Sequence, residues 1–153
     1  MAVDPIPEQY GSVTPYLVVE GAAGLLEFIS TVFEGEEHGG RMQGPEGKIQ
    51  HSEIKIGDSI VMAMDAREPG QAMPGMLNVY VKDCDAVFAR ALEAGATEVQ
   101  PLTDQFYGDR SGGARDPWGN VWWISTHVED VDPEEMQRRV EAFVAGQQSQ
   151  SQG

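Results

Sequence analysis

The chain has few basic residues and almost no cysteine. Among its 153 residues are 10 lysines and arginines against 25 aspartates and glutamates, a formal net charge of −15 at pH 7. Because such a chain repels phosphate groups, we expect neither nucleic acid nor a membrane surface as a partner. A single cysteine excludes an internal disulfide, and no cysteine–histidine cluster has the spacing of a zinc site.

Long apolar runs and the common nucleotide or hydrolase motifs are also missing. No apolar run reaches the ~18 residues that a membrane-spanning helix needs, and the opening residues lack the basic and apolar regions of a secretory signal. There is no glycine-rich phosphate loop and no hydrolase serine motif. A hydrophobic share of 41% is enough for a core, so we expect a globular, cytoplasmic protein.

The strand and helix patterns of the sequence form an internal repeat. In each half an alternating apolar strand, closed by Val19 or Val81, precedes a segment with helical apolar spacing that stops at Gly35 or Gly95. Three further strands follow in each half, so the pattern predicts two β-α-β-β-β modules. In the first module these are residues 37–42, 48–56 and 59–64, with a two-residue hairpin turn at residues 57–58.

The repeat also sets the expected boundaries. The glycines and prolines around residues 5–11 and 69–75 indicate an irregular arm and a connector, whereas the Gln/Ser-rich end is typical of disorder. We therefore expect one domain over residues 13–130, flanked by an arm and by a C-terminal helix. The segments are an arm 1–12, modules 13–64 and 76–127 joined by a linker 65–75, a helix 131–145 and a disordered tail 146–153.

Five segments in a fixed order carry a resemblance to a known family. They are residues 13–19 (VTPYLVV), 51–59 (HSEIKIGDS), 81–88 (VKDCDAVF), 105–110 (QFYGDR) and 116–120 (DPWGN). Together they resemble the vicinal oxygen chelate superfamily, which includes glyoxalase I, bleomycin-resistance proteins, fosfomycin-resistance enzymes and extradiol dioxygenases, and within it the PhnB-like branch. The resemblance implies an α+β fold whose two modules form curled mixed sheets around a cup, with the helices outside.

Strand alternation then predicts which residues face the helices and which face the cup. The helix-facing set is apolar: Leu17, Val19, Ile54, Ile56, Leu77, Val79, Val81, Trp122 and Ile124. The cup-facing set is amphipathic and supplies most of the candidate ligand-binding residues, to which two loop residues are added. These candidates are Thr14, Tyr16, His51, Glu53, Asn78, Tyr80, Phe106, Arg110, Trp123 and Ser125.

The metal-binding positions of the family are mostly occupied by poor donors. The resemblance places its four ligand positions at or near Thr14, Glu53, Met76 and Trp123, of which only Glu53 is a strong ligand for a divalent ion. We therefore predict no metal cofactor. The alternative is a divalent metal such as Zn, Ni, Mn or Fe held by His51 and Glu53. His38 and His127 are interpreted as surface residues.

Three functions remain open, and whether the protein is an enzyme is undecided. The leading hypothesis is a metal-independent, homodimeric protein similar to the bleomycin-resistance type, which sequesters an organic small molecule in an aromatic-lined cup while Glu53 holds any cationic group. The alternatives are a metal-dependent lyase, isomerase or dioxygenase of the glyoxalase type, and a dimeric interaction module whose cup is filled. If chemistry occurs, Glu53 with a raised pKa and His51 form the candidate catalytic pair. Arg110 either grips an anionic ligand group or pins its loop by pairing with Asp109.

Overall fold

A computed structural model describes residues 2–151 as two similar modules followed by a long helix. Met1, Gln152 and Gly153 lie outside the described residues. The first module consists of β1 (Tyr16–Val19), α1 (Ala22–Phe33), β2 (Glu36–Glu37), β3 (Met42–Gln43), β4 (Ile49–Ile56) and β5 (Ser59–Asp65). The second consists of β6 (Met76–Tyr80), α2 (Cys84–Glu93), β7 (Thr97–Asp104), β8 (Asp109–Arg115) and β9 (Val121–His127), and α3 (Pro133–Ser151) ends the described chain.

Each module folds into one mixed sheet. The first sheet has the order β1-β5-β4-β2, with β3 also paired to β4, and the second has the order β6-β9-β8-β7. The β1–β5 and β6–β9 pairs are parallel and the other pairs are antiparallel. The predicted α+β fold with two repeated modules is confirmed.

One hydrophobic core joins both sheets to α1 and α2. The predicted helix-facing residues all belong to it or pack against it: Leu17, Val19, Ile54, Trp122 and Ile124 are buried, while Ile56, Leu77, Val79 and Val81 are partly buried. Because side chains alternate along a strand, burial of this set leaves the neighbouring set on the opposite face. The two faces of each sheet were therefore assigned correctly from the sequence.

Asp116 and Trp118 of the second module connect it to helix α1 of the first module. The carboxylate of Asp116 accepts hydrogen bonds from the backbone N–H groups of Trp118 and Asn120, from the Asn120 amide and from the Trp122 indole, all at 2.8–2.9 Å. This holds the Trp118 ring over α1, where a Cβ added to Gly24 would lie 2.6 Å from Trp118 Cζ2. Glycine at position 24 is thus required by the approach of the ring.

The predicted hairpin turn is confirmed, and the structure shows how the two helices α1 and α2 are bounded. The two-residue turn at residues 57–58 joins β4 to β5, with Gly57 at a φ of 57°. Asp83 caps α2 by accepting the N–H of Ala86 at 3.1 Å. At the end of α1, however, the left-handed residue is Glu34, and a Cβ at Gly35 would lie 3.0 Å from the side chains of Ile29 and Ile54, which would have to shift to admit it.

Other boundaries were wrong. Residues 37–42 do not form one strand but contribute to two strands of two residues each, β2 and β3, which both pair with β4. Strand β7 contains Pro101, which is possible because β7 is an edge strand and the missing N–H breaks no ladder. Helix α3 runs to Ser151 instead of ending near residue 145, because glutamine is a good helix former. Within residues 2–151, none of the helices has the length and apolar character needed to cross a bilayer.

Asp65 connects the start of α1 to the sheet. Its Oδ1 accepts the N–H groups of Gly21 and Ala22 at 2.9 and 2.8 Å, and its Oδ2 accepts the N–H of Ile49 at 2.7 Å. Burial acts to raise the pKa of Asp65, but the three N–H donors outweigh it and hold the pKa below the ordinary 3.8. The ionised carboxylate thus satisfies donors that would otherwise lack a partner at the helix N-terminus.

Replacing Asp65 by alanine should lower the free energy of unfolding at pH 7 by about 2–3 kcal/mol, because three N–H groups lose a charged acceptor. Urea unfolding of wild type and Asp65→Ala measures the difference, with Asp58→Ala in the exposed hairpin turn as the matched control. Since the folded pKa is depressed, the contribution is present above the unfolded pKa and is lost as the pH falls through the folded pKa. A difference that persists unchanged at pH 2 would contradict this assignment.

Candidate functional site

The face of the first sheet opposite the helices carries aromatic, methionine and ionisable side chains. We call it the first open face and define it by Tyr16, Met42, His51, Glu53, Met62 and Met64. Register places these residues side by side: Met62 lies between Tyr16 and Glu53, and Met42 is paired with His51. Tyr16 and Met42 are exposed, whereas the other four are partly buried.

A chain of hydrogen bonds crosses this face. His51 Nε2 lies 3.1 Å from Glu53 Oε1, and because a carboxylate only accepts, Nε2 carries the proton. In the neutral imidazole, His51 Nδ1 then accepts the hydroxyl of Tyr16 at 2.8 Å. The same Glu53 oxygen accepts the hydroxyl of Tyr10 at 2.5 Å. The structure therefore brings the predicted Tyr16, His51 and Glu53 together and adds Tyr10, which was predicted only as part of an irregular arm.

Glu53 is a charged acceptor and not a base with a raised pKa. Its side chain is 12% exposed, and this burial acts to raise the pKa of Glu53. The hydrogen bonds from Tyr10 and His51 act in the opposite direction and hold the pKa below its ordinary value. The geometry therefore does not support the raised pKa that was expected of a catalytic Glu53, because the donors around it stabilise the ionised form.

The corresponding face of the second sheet is the second open face, defined by Met76, Asn78, Tyr80, Asp109, Trp123, Ser125 and His127. Ser125 Oγ donates to Asn78 Oδ1 at 2.7 Å, and the Trp123 indole N–H lies 3.2 Å from Met76 Sδ. Tyr80 donates its hydroxyl to Asp109 Oδ2 at 2.6 Å. The predicted Asn78, Tyr80, Trp123 and Ser125 thus share one face, on the adjacent strands β6 and β9.

His127 belongs to an ionised cluster that was not predicted. Its Nδ1 lies 2.8 Å from Asp109 Oδ1 and its Nε2 lies 2.7 Å from Asp130 Oδ1. A carboxylate only accepts, so two such contacts fit the protonated imidazolium form, and Asp109 first and Asp130 second raise the pKa of His127 above the ordinary 6.5. Asp109 is buried, whereas the Asp130 side chain is fully exposed. Asp109 faces His127 across β8 and β9, a pairing that depends on the exact start of β8.

Thr14 lies apart from the network on the first open face. Together with Asn78 and Tyr80 it lines a cleft of about 1050 Å³ between the residues that precede β1 and the open edge of β6. Phe33 and Ile60 supply part of the apolar wall of this cleft. The cleft therefore joins elements of both modules.

The placement of Phe106 and Arg110 does not support contact with a ligand on either open face. Phe106 packs on Phe143 of α3 with ring centroids 4.8 Å apart. Arg110 is paired with Asp85 of α2 at 2.9 Å and with Asp104 at 3.3 Å, not with Asp109. The reason is alternation: Asp109 points to the open face, so its neighbour Arg110 points to the helix side.

The residues at the family's metal positions do not fit a divalent ion. Trp123 and Met76 contact each other, Thr14 lines the cleft, and Glu53 is bonded to Tyr10 and His51. Over the described residues 2–151, His, Cys, Asp and Glu side chains form no group of three or more that could hold a metal.

Comparison with known proteins finds a matching family model and related sequences. A family model described as Glyoxalase/Bleomycin resistance protein/Dioxygenase superfamily matches residues 12–124. The chain is 37% identical over 137 residues to the uncharacterized protein Mb0911c of Mycobacterium bovis, covering 82% of this chain and 90% of that protein.

Two solved structures illustrate the similarity of fold. The crystal structure of TioX from Micromonospora sp. ML1 superposes with a TM-score of 0.64 at 30% identity, covering 77% of this chain and all of that one. The fosfomycin resistance protein FosX from Mesorhizobium loti superposes with a TM-score of 0.57 at 16% identity, covering 79% of this chain and 93% of that one. At that identity the second likeness concerns the fold alone.

The imidazole of His127 should titrate above its ordinary pKa of 6.5, because both carboxylates stabilise the cation. Proton NMR of the imidazole C–H signals across pH 5–9 measures the midpoint, and Asp109→Asn and Asp130→Asn should each lower it. Glu134→Gln, which removes an exposed charge from α3, serves as the control and should leave it unchanged. An unshifted midpoint in Asp109→Asn would rule out the arrangement.

Proposed function

The chain belongs to the glyoxalase/bleomycin resistance protein/dioxygenase superfamily, and from this premise we propose that it binds an organic small molecule on its open sheet faces and sequesters it without a metal. One observation carries the proposal. The first open face presents aromatic and thioether side chains around a single ionised carboxylate, Glu53, whose hydrogen bonds fix its position.

The side chains of this face suit an organic ligand. Met62 and Met64 are partly buried beside the Tyr16–His51 pair, whose ring centroids are 5.7 Å apart. Thioethers are polarisable and adapt their shape, and they make favourable contacts with aromatic rings. A mostly apolar surface with a few fixed polar groups is typical of small-molecule sites.

Two contributions to the binding free energy would then sequester the ligand. Burial of the ligand's apolar surface against Met62, Met64 and Tyr16 supplies most of the affinity. The Glu53 carboxylate orients the ligand by accepting a hydrogen bond or by holding a cationic group, and hydrogen bonds to charged groups are stronger than neutral ones. The lowered pKa of Glu53 keeps this acceptor ionised near neutral pH.

Metal independence is supported by the donor set. Where metal-using relatives place ligands, this chain has Thr14, Met76 and Trp123 beside Glu53, and an indole cannot coordinate a metal through its N–H. His51 and Glu53 are hydrogen-bonded to each other, and two donors do not complete the shell of a zinc-like ion.

We also propose that the protein is a cytoplasmic homodimer of the PhnB-like branch. Strand β6 is an edge strand, and the cleft along it is lined by Leu77, Val79 and Val81 together with Phe33 and Ile60. A second copy that covers this edge would remove apolar surface from water and protect the edge of β6 that has no neighbouring strand. Sedimentation equilibrium gives the mass that decides this point.

A thermal-shift panel of quinones, thiol adducts and cationic glycopeptides should contain compounds that raise the melting temperature, because a ligand bound only by the folded state stabilises it. Titration calorimetry should show saturable binding, and the compound should be recovered unchanged. Glu53→Gln should weaken binding by about tenfold, the effect of losing a hydrogen bond to a charged acceptor. Glu36→Gln, on the exposed strand β2, is the control.

The proposal fails if neither these compounds nor any other organic small molecule that is tested binds the protein. It also fails if the compound is converted to a product at a rate that depends on Glu53.

A further inference from the structure

The N-terminal arm places one side chain in the proposed site. Residues 2–9 are exposed, whereas Tyr10 is partly buried and donates its hydroxyl to Glu53 Oε1 at 2.5 Å. Glu53 lies on the face opposite the buried Ile54, so the Tyr10 ring reaches the first open face from the side where a ligand would bind.

We propose that Tyr10 occupies the position of a ligand, and that the first open face binds a phenolic compound whose hydroxyl replaces that of Tyr10 on Glu53. This inference rests on the proposed function and adds the substrate class to it. The arm then acts as an intramolecular competitor that leaves when a phenol binds.

The hydrogen-bond inventory of the site favours a neutral O–H donor. Glu53 Oε1 already accepts the N–H of His51, so a cationic group on that oxygen would lie beside another donor hydrogen. A phenol hydroxyl supplies one hydrogen and no positive charge, as Tyr10 does. Contacts of this type between a hydroxyl and a carboxylate are charge-assisted, as is the Tyr10–Glu53 hydrogen bond.

The neighbouring side chains suit the ring of a phenol. Met62 lies directly across from Glu53 on β5, and Tyr16 follows on β1. A planar ring whose hydroxyl is on Glu53 therefore lies near a thioether and an aromatic ring. Both make favourable contacts with aromatic ligands.

The arm can leave at low cost. In its described part, the hydrogen bonds other than that of the Tyr10 hydroxyl are local: Ile6 N–H to Asp4 and Tyr10 N–H to Pro7. Val3 is 88% exposed and Ile6 is 45% exposed, so neither is anchored in the core. An incoming phenol re-forms the hydrogen bond that Tyr10 gives up. The apparent affinity for the phenol is then the intrinsic affinity multiplied by the fraction of chains in which Tyr10 is away from Glu53.

The test uses 2-naphthol and its methyl ether, 2-methoxynaphthalene, which keeps the rings and loses the donor. Fluorescence titration of the full chain should show tighter binding of 2-naphthol. Tyr10→Phe should bind 2-naphthol about three- to tenfold more tightly than wild type, because the competing hydroxyl is removed. Glu53→Gln should reduce the preference for 2-naphthol over the ether, and Tyr107→Phe, an exposed tyrosine outside the network, should behave as wild type.

Release of the arm gives a second readout that does not depend on variants. Chymotrypsin cleaves after tyrosine, so saturation with 2-naphthol should speed formation of the fragment that begins at Gly11, and the ether should not. Mass spectrometry follows this fragment in the wild-type chain.

Equal affinity for the two naphthalenes, or an unchanged affinity in Tyr10→Phe, would overturn the inference. Tighter binding of the cation 1-naphthylmethylamine than of 2-naphthol would overturn it as well. If other organic compounds bind with dependence on Glu53, the proposed function survives each of these results. If no organic compound binds any variant, both fail.

Discussion

Burial of one face of each sheet beneath α1 and α2 is the constraint on which the rest of the structure depends. Because side chains alternate along a strand, a shift of one residue would exchange the two faces. Trp122 and Trp123 show this directly: the first is fully buried in the core, and the second lies on the open face beside Met76. Burial of one face therefore decides which residues the open face presents.

The acidic composition has a structural meaning at a few positions. Asp65, Asp109 and Asp116 accept hydrogen bonds from backbone, imidazole, phenol or indole donors. Asp65 and Asp116 satisfy donors on buried residues such as Ala22 and Trp122, whereas Asp109 is itself buried and is satisfied by the exposed Tyr80 and His127. A buried polar group without a partner is costly. Glu53 differs because one of its donors, Tyr10, belongs to the otherwise exposed N-terminal arm. For this reason the hydrogen-bond partners of single carboxylates are more informative about function than the net charge of the chain.

Periodicity and turn chemistry were enough to predict the two modules, the hairpin at residues 57–58 and the faces of β1, β4, β6 and β9. These features depend on local patterns that the sequence shows directly. Arg110 was misplaced because its partner Asp85 lies on α2, a contact made only in the folded chain. The Asp109–His127 pair was missed because it depends on the register of β8 and β9.

Tyr10 shows another limit of sequence reasoning. The arm has no strand or helix periodicity, so nothing in the pattern indicated that one of its side chains reaches β4. The tail was predicted as disordered from its composition, although the same glutamines favour a helix. Tyr10 was missed because its contact with Glu53 is made only in the folded chain, whereas the prediction for the tail was wrong because the local helix propensity of glutamine outweighed its composition.

The most direct test of the account is the metal content of the full chain. The purified protein would be dialysed against Zn, Ni, Mn and Fe in turn, freed of unbound ions and examined by elemental analysis, in parallel with Glu53→Gln. We expect each metal at well below one equivalent per chain, with no difference between the two proteins. One retained equivalent that disappears in Glu53→Gln would contradict sequestration without a metal.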